Sequence, residues 1–442
     1  MKKTKKILAL GSGSVSRPCV QYLLRRGYEV VSVDMSEKNL ERTLGGHPGG
    51  VAVVADAVRD RVKLIRAHAP DVVVCLLPTA FMAQTAADCI EEGVPMVGAS
   101  YVKDEVRALD ARARERGAKI LCEMGVDPGI DHMSAVARIR EIEGEGGVVE
   151  GFSSCCGALP DLGSNTNPMG YKLSWAPASL VGASRRTARI LKDGEAVTQA
   201  DGKAYRHPSF VEVPGVGWFE SYANADSLPY REAYGIPEAR DIFRGTLRYP
   251  GWSETIVQMQ KLDLFDETRR DFSDETYASL MRKIVGGTAA DLEAAVASFL
   301  GVESFSLPIQ KLAWLGLFED APVEPAEGSI RDVISRIYAE KLVFSPGEYD
   351  LVVMQHRFDV RYPASGKKKR LFSTMIDRGC VDEDTAIART TGLPLGIGAH
   401  LMAEGRVEGT GIMIPTTPDV YIPALRELAK EGIAFLEREQ AL

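Results

Sequence analysis

The chain has 442 residues, of which 45% are hydrophobic and 26% charged, and its formal net charge is −8 at pH 7. This length predicts two or three domains, and the composition excludes a disordered or fibrous protein. The acidic balance argues against nucleic-acid binding, which usually needs a basic surface, so a small molecule is the expected partner.

The first residues do not predict export or membrane insertion. Four lysines among residues 2–6 precede only four apolar residues, Ile7 to Leu10, which is too few for a signal peptide. The longest apolar run, 72–77, is far shorter than a membrane span. The seven cysteines show no repeated metal-ligand spacing, so we expect a cytoplasmic protein with no bound metal.

Residues 6–34 predict a βαβ unit that binds a dinucleotide. An apolar strand over 6–10 leads into the turn Gly11-Ser-Gly-Ser-Val-Ser16, a helix over 18–26 and a second strand over 29–33. Gly11 would permit the sharp turn, and Gly13 the close approach of a pyrophosphate that the helix N-terminus binds. A βαβ turn that binds nothing is the alternative.

Asp34 ends the second strand, 23 residues after Gly11. A carboxylate there can accept the ribose hydroxyls of NAD and would repel a 2′-phosphate, so we expect NAD(P) with NAD favoured over NADP. Lys38 or Arg42 on the next helix is the most direct route to NADP binding instead. Capping of that helix, by Asp34 or Ser36, is the alternative role.

Short strands and helices keep alternating up to about residue 123, which predicts a doubly wound parallel α/β sheet of the Rossmann type. The predicted strands cover 51–55, 71–77, 94–97 and 118–123, and the helices 59–68, 80–92 and 103–116. Ligands bind at the carboxyl ends of such strands. The expected rim of the site is therefore Asp56, Leu77, Ser100 with Tyr101, and residues 125–129.

From about residue 148 the sequence becomes rich in strands, glycine and proline, which predicts an α+β domain. Helices are expected near 177–192, 253–263, 275–300 and 327–341. We expect a dinucleotide-binding domain over 1–130, completed by about 395–442, and a substrate-binding domain over 131–394.

Seven distinctive strings of residues follow one another along the chain. They are Gly11-Ser-Gly-Ser-Val-Ser16, Ser100-Tyr-Val102, Gly125-Val-Asp-Pro-Gly-Ile-Asp-His132, Cys156-Gly-Ala-Leu-Pro160, Asn167-Pro-Met-Gly-Tyr-Lys-Leu-Ser-Trp175, Arg244-Gly-Thr-Leu-Arg-Tyr249 and Lys311-Leu-Ala-Trp-Leu-Gly-Leu-Phe318. In this order they resemble the glutamate-forming saccharopine dehydrogenase family, also called saccharopine reductases, and the resemblance runs from about residue 6 to 430.

The resemblance implies a Rossmann domain, an α/β domain that also dimerises, and a small insertion near 177–235. The implied reaction belongs to lysine metabolism: aminoadipate semialdehyde and glutamate condense to an imine, which a nicotinamide nucleotide reduces to saccharopine. Such chemistry needs anchors for substrate carboxylates and a group that moves protons. The expected partners are a small amino-acid substrate and a second copy of the chain, with no nucleic acid and no membrane.

The candidate catalytic residues are Asp127, Tyr101 and Cys156. Asp127 could shuttle a proton or orient an amine, although capping the following helix is an alternative. Tyr101 could relay a proton or simply pack at the rim, and Cys156 could be an acid/base group or a small buried thiol. His132, on the first turn of that helix, is more typical of a structural residue.

The remaining candidates divide into two sets. The expected substrate contacts are Ser100, Tyr101, Asp127, Lys172, Arg244, Thr246, Leu247 and Arg248; Arg244 and Arg248 could each present a planar fork to a carboxylate. The expected cofactor contacts are Gly11, Ser12, Gly13, Ser14, Val15, Asp34, Asp56, Ala57, Leu77, Ser100, Val126, Asp127, Pro128 and Trp175.

One departure from the family pattern concerns the substrate. Where the family commonly has Asn-Arg-Asp-Ser, this chain has Asn224-Ala-Asp-Ser227, so an arginine that would bind a carboxylate is missing at Ala225. Arg231, Arg206 or Lys203 could replace it. Otherwise the substrate would lack that carboxylate, as for a carboxyspermidine-type or opine-like dehydrogenase. A third possibility is a dinucleotide-sensing protein without catalysis.

Overall fold

The computed structural model describes residues 4–174, 177–287, 290–381 and 383–442. The chain forms two compact units. Unit 1 runs to Val148 and also includes Tyr362–Lys367 and Met375–Glu437, and unit 2 consists of Val149–Arg361, Lys368–Thr374 and Arg438–Leu442. Within the described ranges, no helix is long and apolar enough to cross a membrane.

Unit 1 is built on a seven-stranded sheet in the order β17-β6-β5-β4-β1-β2-β3, in which every pairing is parallel. Its strands are β1 (Lys6–Leu10), β2 (Glu29–Asp34), β3 (Gly50–Val54), β4 (Val72–Cys75), β5 (Met96–Gly98), β6 (Lys119–Leu121) and β17 (Gly411–Met413). β4 is an uninterrupted apolar run and is buried throughout, because helices cover a parallel sheet on both faces.

The helices of unit 1 are α1 (Ser16–Arg25), α2 (Glu37–Leu44), α3 (Arg61–His68), α4 (Met82–Glu92), α5 (Asp104–Arg107), α6 (Asp110–Glu115), α7 (Ile130–Gly144), α15 (Ala386–Ala403) and α16 (Pro418–Lys430). Two glycines of α15 let it lie directly against α1. A Cβ at Gly392 would come 2.5 Å from the Val15 carbonyl oxygen, and one at Gly396 2.9 Å from that of Cys19. The C-terminal segment thus packs on the helix that follows the glycine turn.

The second sheet has nine strands and is mixed, with the central order β10-β11-β12-β7-β15-β16-β18 and with β8 and β9 attached to β12. β12 pairs parallel with β7 and antiparallel with β11. Its strands are β7 (Val148–Pro160), β8 (Ala188–Lys192), β9 (Glu195–Gln199), β10 (Ser209–Val213), β11 (Gly217–Ala223), β12 (Asp241–Arg248), β15 (Asp350–Tyr362), β16 (Lys367–Arg378) and β18 (Phe435–Ala441).

Seven helices and a small two-stranded sheet complete the described part of unit 2. The helices are α8 (Pro177–Ala183), α9 (Tyr230–Ala233), α10 (Trp252–Lys261), α11 (Tyr277–Val285), α12 (Leu292–Leu300), α13 (Leu307–Trp314) and α14 (Ile330–Lys341), and the strands are β13 (Arg270–Asp271) and β14 (Glu327–Gly328). The segment 177–235, where a small insertion was expected, contains β10 and β11, which are strands of the large sheet.

The predicted fold class, a doubly wound parallel sheet followed by a mixed α and β unit, is confirmed. Three predicted helices were wrong. The helix expected over 103–116 is two short helices, α5 and α6. The helix expected over 177–192 ends at Ala183, and the rest of that segment contains the strand β8. Asp193 and Gly194, with φ of 53° and 88°, join β8 to β9 in a tight hairpin. The helix expected over 275–300 is two helices, since Gly286 ends α11 in the left-handed conformation.

Candidate active site

The turn between β1 and α1 has the geometry of a diphosphate site. Gly11 has φ of +103°, and a Cβ there would lie 3.0 Å from the Leu76 carbonyl oxygen, so a side chain is excluded. Gly13 and Ser14 are exposed, and a Cβ on Gly13 would meet no atom within 4 Å. Helix α1 begins at Ser16 without a side-chain cap, so its first N–H groups suit an anion. These residues fit a dinucleotide.

The third small residue of the motif, Ser16, braces this turn. Its buried hydroxyl donates to the Gly13 carbonyl oxygen at 2.7 Å and lies 2.9 Å from the Thr43 hydroxyl. Arg42 donates to the carbonyl oxygens of Ser12 at 3.1 Å and Gly13 at 2.7 Å. A cation therefore lies at the same turn.

Asp34 holds a fixed, half-buried carboxylate at the end of β2. It accepts hydrogen bonds from the Ser12 N–H at 2.8 Å, the Ser36 N–H at 2.9 Å and the Asn39 side-chain amide at 3.4 Å. The N-cap of α2 is Ser36, whose hydroxyl accepts from the Asn39 N–H. Asp34 is therefore not the cap, and it orders the turn where a ribose would bind.

The other predicted cofactor residues follow strands of the same sheet. Asp56 and Ala57 come after β3, Leu77 after β4 and Ser100 after β5, so all belong to the carboxyl edge of the sheet. Asp56 orders its turn by accepting from the N–H groups of Val58 and Arg59 at 2.9 and 3.0 Å. Val126, Asp127 and Pro128 come after β6, in the loop that leads to α7. Trp175 lies outside the described residues.

Tyr101 and Asp127 form the closest pair of candidate catalytic side chains. The Tyr101 hydroxyl donates to the Asp127 carboxylate at 2.6 Å. Asp127 lies in a tight loop, in which a Cβ on Gly129 would come 2.1 Å from the Gly125 carbonyl oxygen. The N-cap residue of α7 is Gly129, and its N–H donates to the Asp131 carboxylate in the first turn of the helix at 2.5 Å.

A buried carboxylate that the sequence analysis missed, Glu123, connects the segments that carry this pair. Its two oxygens accept from the Val102 N–H at 2.8 Å and contact the His132 Nε2 at 2.7 Å. Both side chains are buried, and Glu123 has φ of 59°, which is rare for a residue with a side chain. His132 is thereby a structural partner and Glu123 a positioning residue.

We expect Glu123→Ala to destabilise unit 1 by about 1–3 kcal/mol, because it leaves the Val102 N–H without its carboxylate acceptor and His132 without its carboxylate partner. Calorimetric unfolding measures the effect. Glu105→Ala, at an exposed site on α5, is the control. Equal stability of the two variants would mean that water replaces the carboxylate.

In unit 2, β12 presents its candidate residues on two faces. Arg244, Thr246 and Arg248 alternate along the strand and share one face, whereas Leu247 is fully buried on the other. Tyr222 of β11 and Cys156 of β7 are in register with Thr246 on either side. Cys156 thus belongs to the same face, which we call the β12 arginine face, defined by Arg244, Thr246 and Arg248 with Cys156 and Tyr222.

Arg248 is a buried cation without a carboxylate partner among the described residues. Only 5% of it is exposed, and its guanidinium lies 4.6 Å from the Tyr171 ring centroid and 5.5 Å from that of Trp252. It donates to the Leu247 carbonyl oxygen at 2.8 Å, but its Nε and the Trp252 indole N–H have no hydrogen-bond partner among the residues that the structure describes. Unpaired buried donors of this kind fit an anionic ligand.

The acidic residue opposite Arg248 is used elsewhere. Glu220 is its cross-strand neighbour on β11, but the Glu220 carboxylate accepts from the Gly251 N–H at 3.0 Å and from the Ser253 N–H, at the start of α10. The arrangement leaves the charge of Arg248 for a ligand.

The other two candidate cations have partners. Lys172 is buried and paired with Glu348, which also accepts from Thr166 at 2.8 Å. The Lys172 hydrogen bond is the main cause that lowers the pKa of Glu348 to about 2, so the Glu348 carboxyl stays ionised. Arg244 stacks on Tyr230, with 4.2 Å between the guanidinium and the ring centroid. Of the three, only Arg248 has a buried side-chain nitrogen without a hydrogen-bond partner among the described residues, so it is the strongest candidate for a carboxylate anchor.

Comparisons with known proteins cover almost the whole chain. Residues 7–121 match the family model described as the saccharopine dehydrogenase NADP binding domain, and residues 125–433 match that of the saccharopine dehydrogenase C-terminal domain. A saccharopine dehydrogenase [NADP(+), L-glutamate-forming] of Schizosaccharomyces pombe is 32% identical over 98% of both chains.

Two further relatives extend this result. The mitochondrial alpha-aminoadipic semialdehyde synthase of Bos taurus is 33% identical over 98% of this chain, which spans only 47% of that protein. The solved structure of apo saccharopine dehydrogenase (L-Glu forming) from Saccharomyces cerevisiae matches with a TM-score of 0.89 and 28% identity, over 99% of this chain and all of that one. The resemblance carried by the seven strings is thereby confirmed.

Proposed function

This chain belongs to the saccharopine dehydrogenase family, and from that premise we propose that it interconverts saccharopine with aminoadipate semialdehyde and glutamate. It is an oxidoreductase of the kind that acts on CH–NH groups and uses a nicotinamide dinucleotide. The observation that carries the substrate assignment is Arg248, because a buried guanidinium without a carboxylate partner in the described structure suits a substrate that is a polycarboxylate.

The residues of unit 1 would bind the cofactor and move protons. The turn from Gly11 to Val15 and the Asp34 carboxylate would hold the dinucleotide, which supplies the hydride when bound. Tyr101 and Asp127, joined by a hydrogen bond of 2.6 Å, would move protons as the carbinolamine forms and collapses. Cys156 would line the substrate site beside Thr246.

The test is a steady-state screen of NADH and NADPH with aminoadipate semialdehyde and glutamate. Turnover that depends on glutamate supports the proposal. A second candidate, a carboxyspermidine-type dehydrogenase, is favoured by Ala225 at the position of the family's arginine. Turnover with a diamine and none with glutamate would establish that alternative, and binding of NADH without any turnover would indicate a sensor.

We further propose that Asp34 directs the chain towards NAD, although the names of its relatives specify NADP(+). In Asp34→Ser with Met35→Arg, the ratio of kcat/KM for NADPH over NADH should rise about 10- to 100-fold, because a 2′-phosphate gains a charged hydrogen bond and loses a repelling carboxylate. Met35 is 74% exposed, so the new arginine meets no packing constraint.

The control for this pair of substitutions is Glu37→Ser, which removes an exposed charge nearby on α2 and should leave the ratio unchanged. An unchanged ratio in the double variant would transfer cofactor choice to another residue, of which Arg42 at the glycine turn is the first to test.

Finally, we propose that the chain works in the cytoplasm as a homodimer, as the resemblance implies. Light scattering would then give about twice the chain mass of 48.1 kDa. A mass of one chain would contradict the dimer.

A further inference from the structure

Arg186 is a third arginine at the β12 arginine face. β11 and β12 pair Tyr222 with Thr246, and the ladder continues where the Asn224 N–H donates to the Arg244 carbonyl oxygen at 2.9 Å. Asn224, two residues after Tyr222, therefore lies on the same face. The Arg186 guanidinium donates to the Asn224 side-chain oxygen at 3.2 Å, so it is tethered to this face.

A pair of tyrosines lies on this face between the strand positions of Asn224 and Arg248. The rings of Tyr205 and Tyr222 lie 4.3 Å apart between centroids, and both side chains are buried. Burial and the neighbouring Tyr222 raise the pKa of the Tyr205 phenol well above its usual value, and the charges of Arg248 and Arg186 both act to lower it. On β11, Tyr222 lies between Asn224, which accepts from Arg186, and Glu220, which is opposite Arg248, so the tyrosine pair lies between the two cations along one face.

Neither cation is neutralised by a carboxylate in the described part of the chain. Arg189, three residues after Arg186, is paired with Asp226 at 3.0 Å, which shows how an arginine here would ordinarily be compensated. Arg186 donates a hydrogen bond from Nη1 to the neutral Asn224 amide oxygen, so the other N–H groups of its guanidinium remain for a ligand.

The cations named from sequence as replacements at Ala225 are less suitable. Arg231 donates to the Pro237 carbonyl oxygen from its Nε at 3.1 Å and from its Nη2. Lys203 and Arg206 lie on a short 3-10 turn and are exposed, as Arg186 is. Arg186, in contrast, is hydrogen-bonded to Asn224, the residue directly before Ala225.

We propose that Arg186 binds a second carboxylate of the substrate and is a specificity-determining residue for a dicarboxylic amino acid, with Arg248 binding the first. The proposal rests on the proposed function, and it explains how glutamate could be recognised although Ala225 offers no cation. A diamine has no carboxylate that this second guanidinium could bind.

The test compares Arg186→Gln with Arg185→Gln in the full-length chain. Arg185 is the exposed neighbouring arginine and provides a matched loss of charge. Arg186→Gln should raise KM for glutamate roughly 10- to 100-fold, the effect of losing a charged hydrogen bond, while kcat and the affinity for NADH stay unchanged. Arg185→Gln should leave all three unchanged.

Two analogues of glutamate test whether Arg186 binds a carboxylate. Glutamine lacks the side-chain carboxylate and 4-aminobutyrate lacks the α-carboxylate. If Arg186 binds the side-chain carboxylate, KM for glutamine should be the same in wild type and in Arg186→Gln. If it binds the α-carboxylate, KM for 4-aminobutyrate should be the same in both. An unchanged KM for glutamate, equal effects of the two variants, or an equal rise with both analogues would overturn the proposal.

A separate measurement distinguishes this proposal from the proposed function. If the wild type does not turn glutamate over, the proposed function fails, and calorimetric titration with glutarate then tests the two cations directly. Glutarate binding that weakens in Arg186→Gln and not in Arg185→Gln would still support a dicarboxylate site. Equal glutarate binding by the wild type, Arg186→Gln and Arg185→Gln would overturn the proposal of a dicarboxylate site.

Discussion

Arg248→Met is expected to lower kcat/KM for glutamate about 100- to 1000-fold without lowering the stability of the chain. The loss of activity follows from removing a desolvated partner of a carboxylate, which costs roughly 2–5 kcal/mol. The steady-state rate with glutamate and NADH measures the first effect, and thermal unfolding measures the second.

The expected stability distinguishes a ligand anchor from a structural ion pair. Arg248 is 5% exposed, its guanidinium lies within 6 Å of the ring centroids of Tyr171 and Trp252, and its Nε has no hydrogen-bond partner within the described ranges. A methionine keeps the apolar contacts and removes an uncompensated charge, and such replacements are often neutral or stabilising.

Lys172→Met is the matched control, because Lys172 is equally buried but is paired with Glu348. Breaking that pair strands a carboxylate and should destabilise the chain strongly, by roughly 3–5 kcal/mol where a pair is fully buried. If Arg248→Met destabilises the chain as much as Lys172→Met does, the charge of Arg248 serves the fold and not the substrate.

The dinucleotide-binding unit could be predicted because its signals are local. The strand, the glycine turn, the helix and Asp34 follow one another within residues 6–34, and each has a separate physical requirement. The β8–β9 hairpin also has a local signal, Asp193-Gly194, but the sequence analysis assigned a helix up to residue 192. The turn signal was therefore present in the sequence, and the predicted helix was wrong although this information was available.

Other features depend on contacts that no local pattern contains. Asp127 and Tyr101 could each be named from their place after a strand, but their hydrogen bond requires β5 and β6 to be neighbours. The role of Glu123 depends on a left-handed backbone that its residue type does not predict. Such residues become visible only when the sheet order is known.

The ranking of the cations shows the same limit in energetic terms. Lys172 and Arg248 were both plausible anchors, and the difference between them is a carboxylate 176 residues after Lys172. Arg186 was not named at all, because its hydrogen bond to Asn224 depends on the position of Asn224 directly after β11. The sequence contains the charges, and the fold decides which of them remain uncompensated.

Asp127→Asn is expected to reduce kcat about 100- to 10,000-fold while leaving the KM for NADH within a few-fold. The amide keeps the shape of the side chain, and its oxygen can still accept from the Tyr101 hydroxyl, which is 2.6 Å from Oδ1 in the wild type. What it loses is the ability to take up a proton, and general acid–base catalysis is typically worth this range of rates.

Two comparisons make this result interpretable. Tyr101→Phe removes the hydroxyl and leaves the carboxylate, so it should cost less in kcat than Asp127→Asn if the carboxylate moves the proton. Asp104→Asn, at an exposed site on α5, should change nothing. If Asp127→Asn instead weakens NADH binding and keeps kcat, then the carboxylate holds the cofactor, and the group that moves protons must be sought among Tyr101 and Cys156.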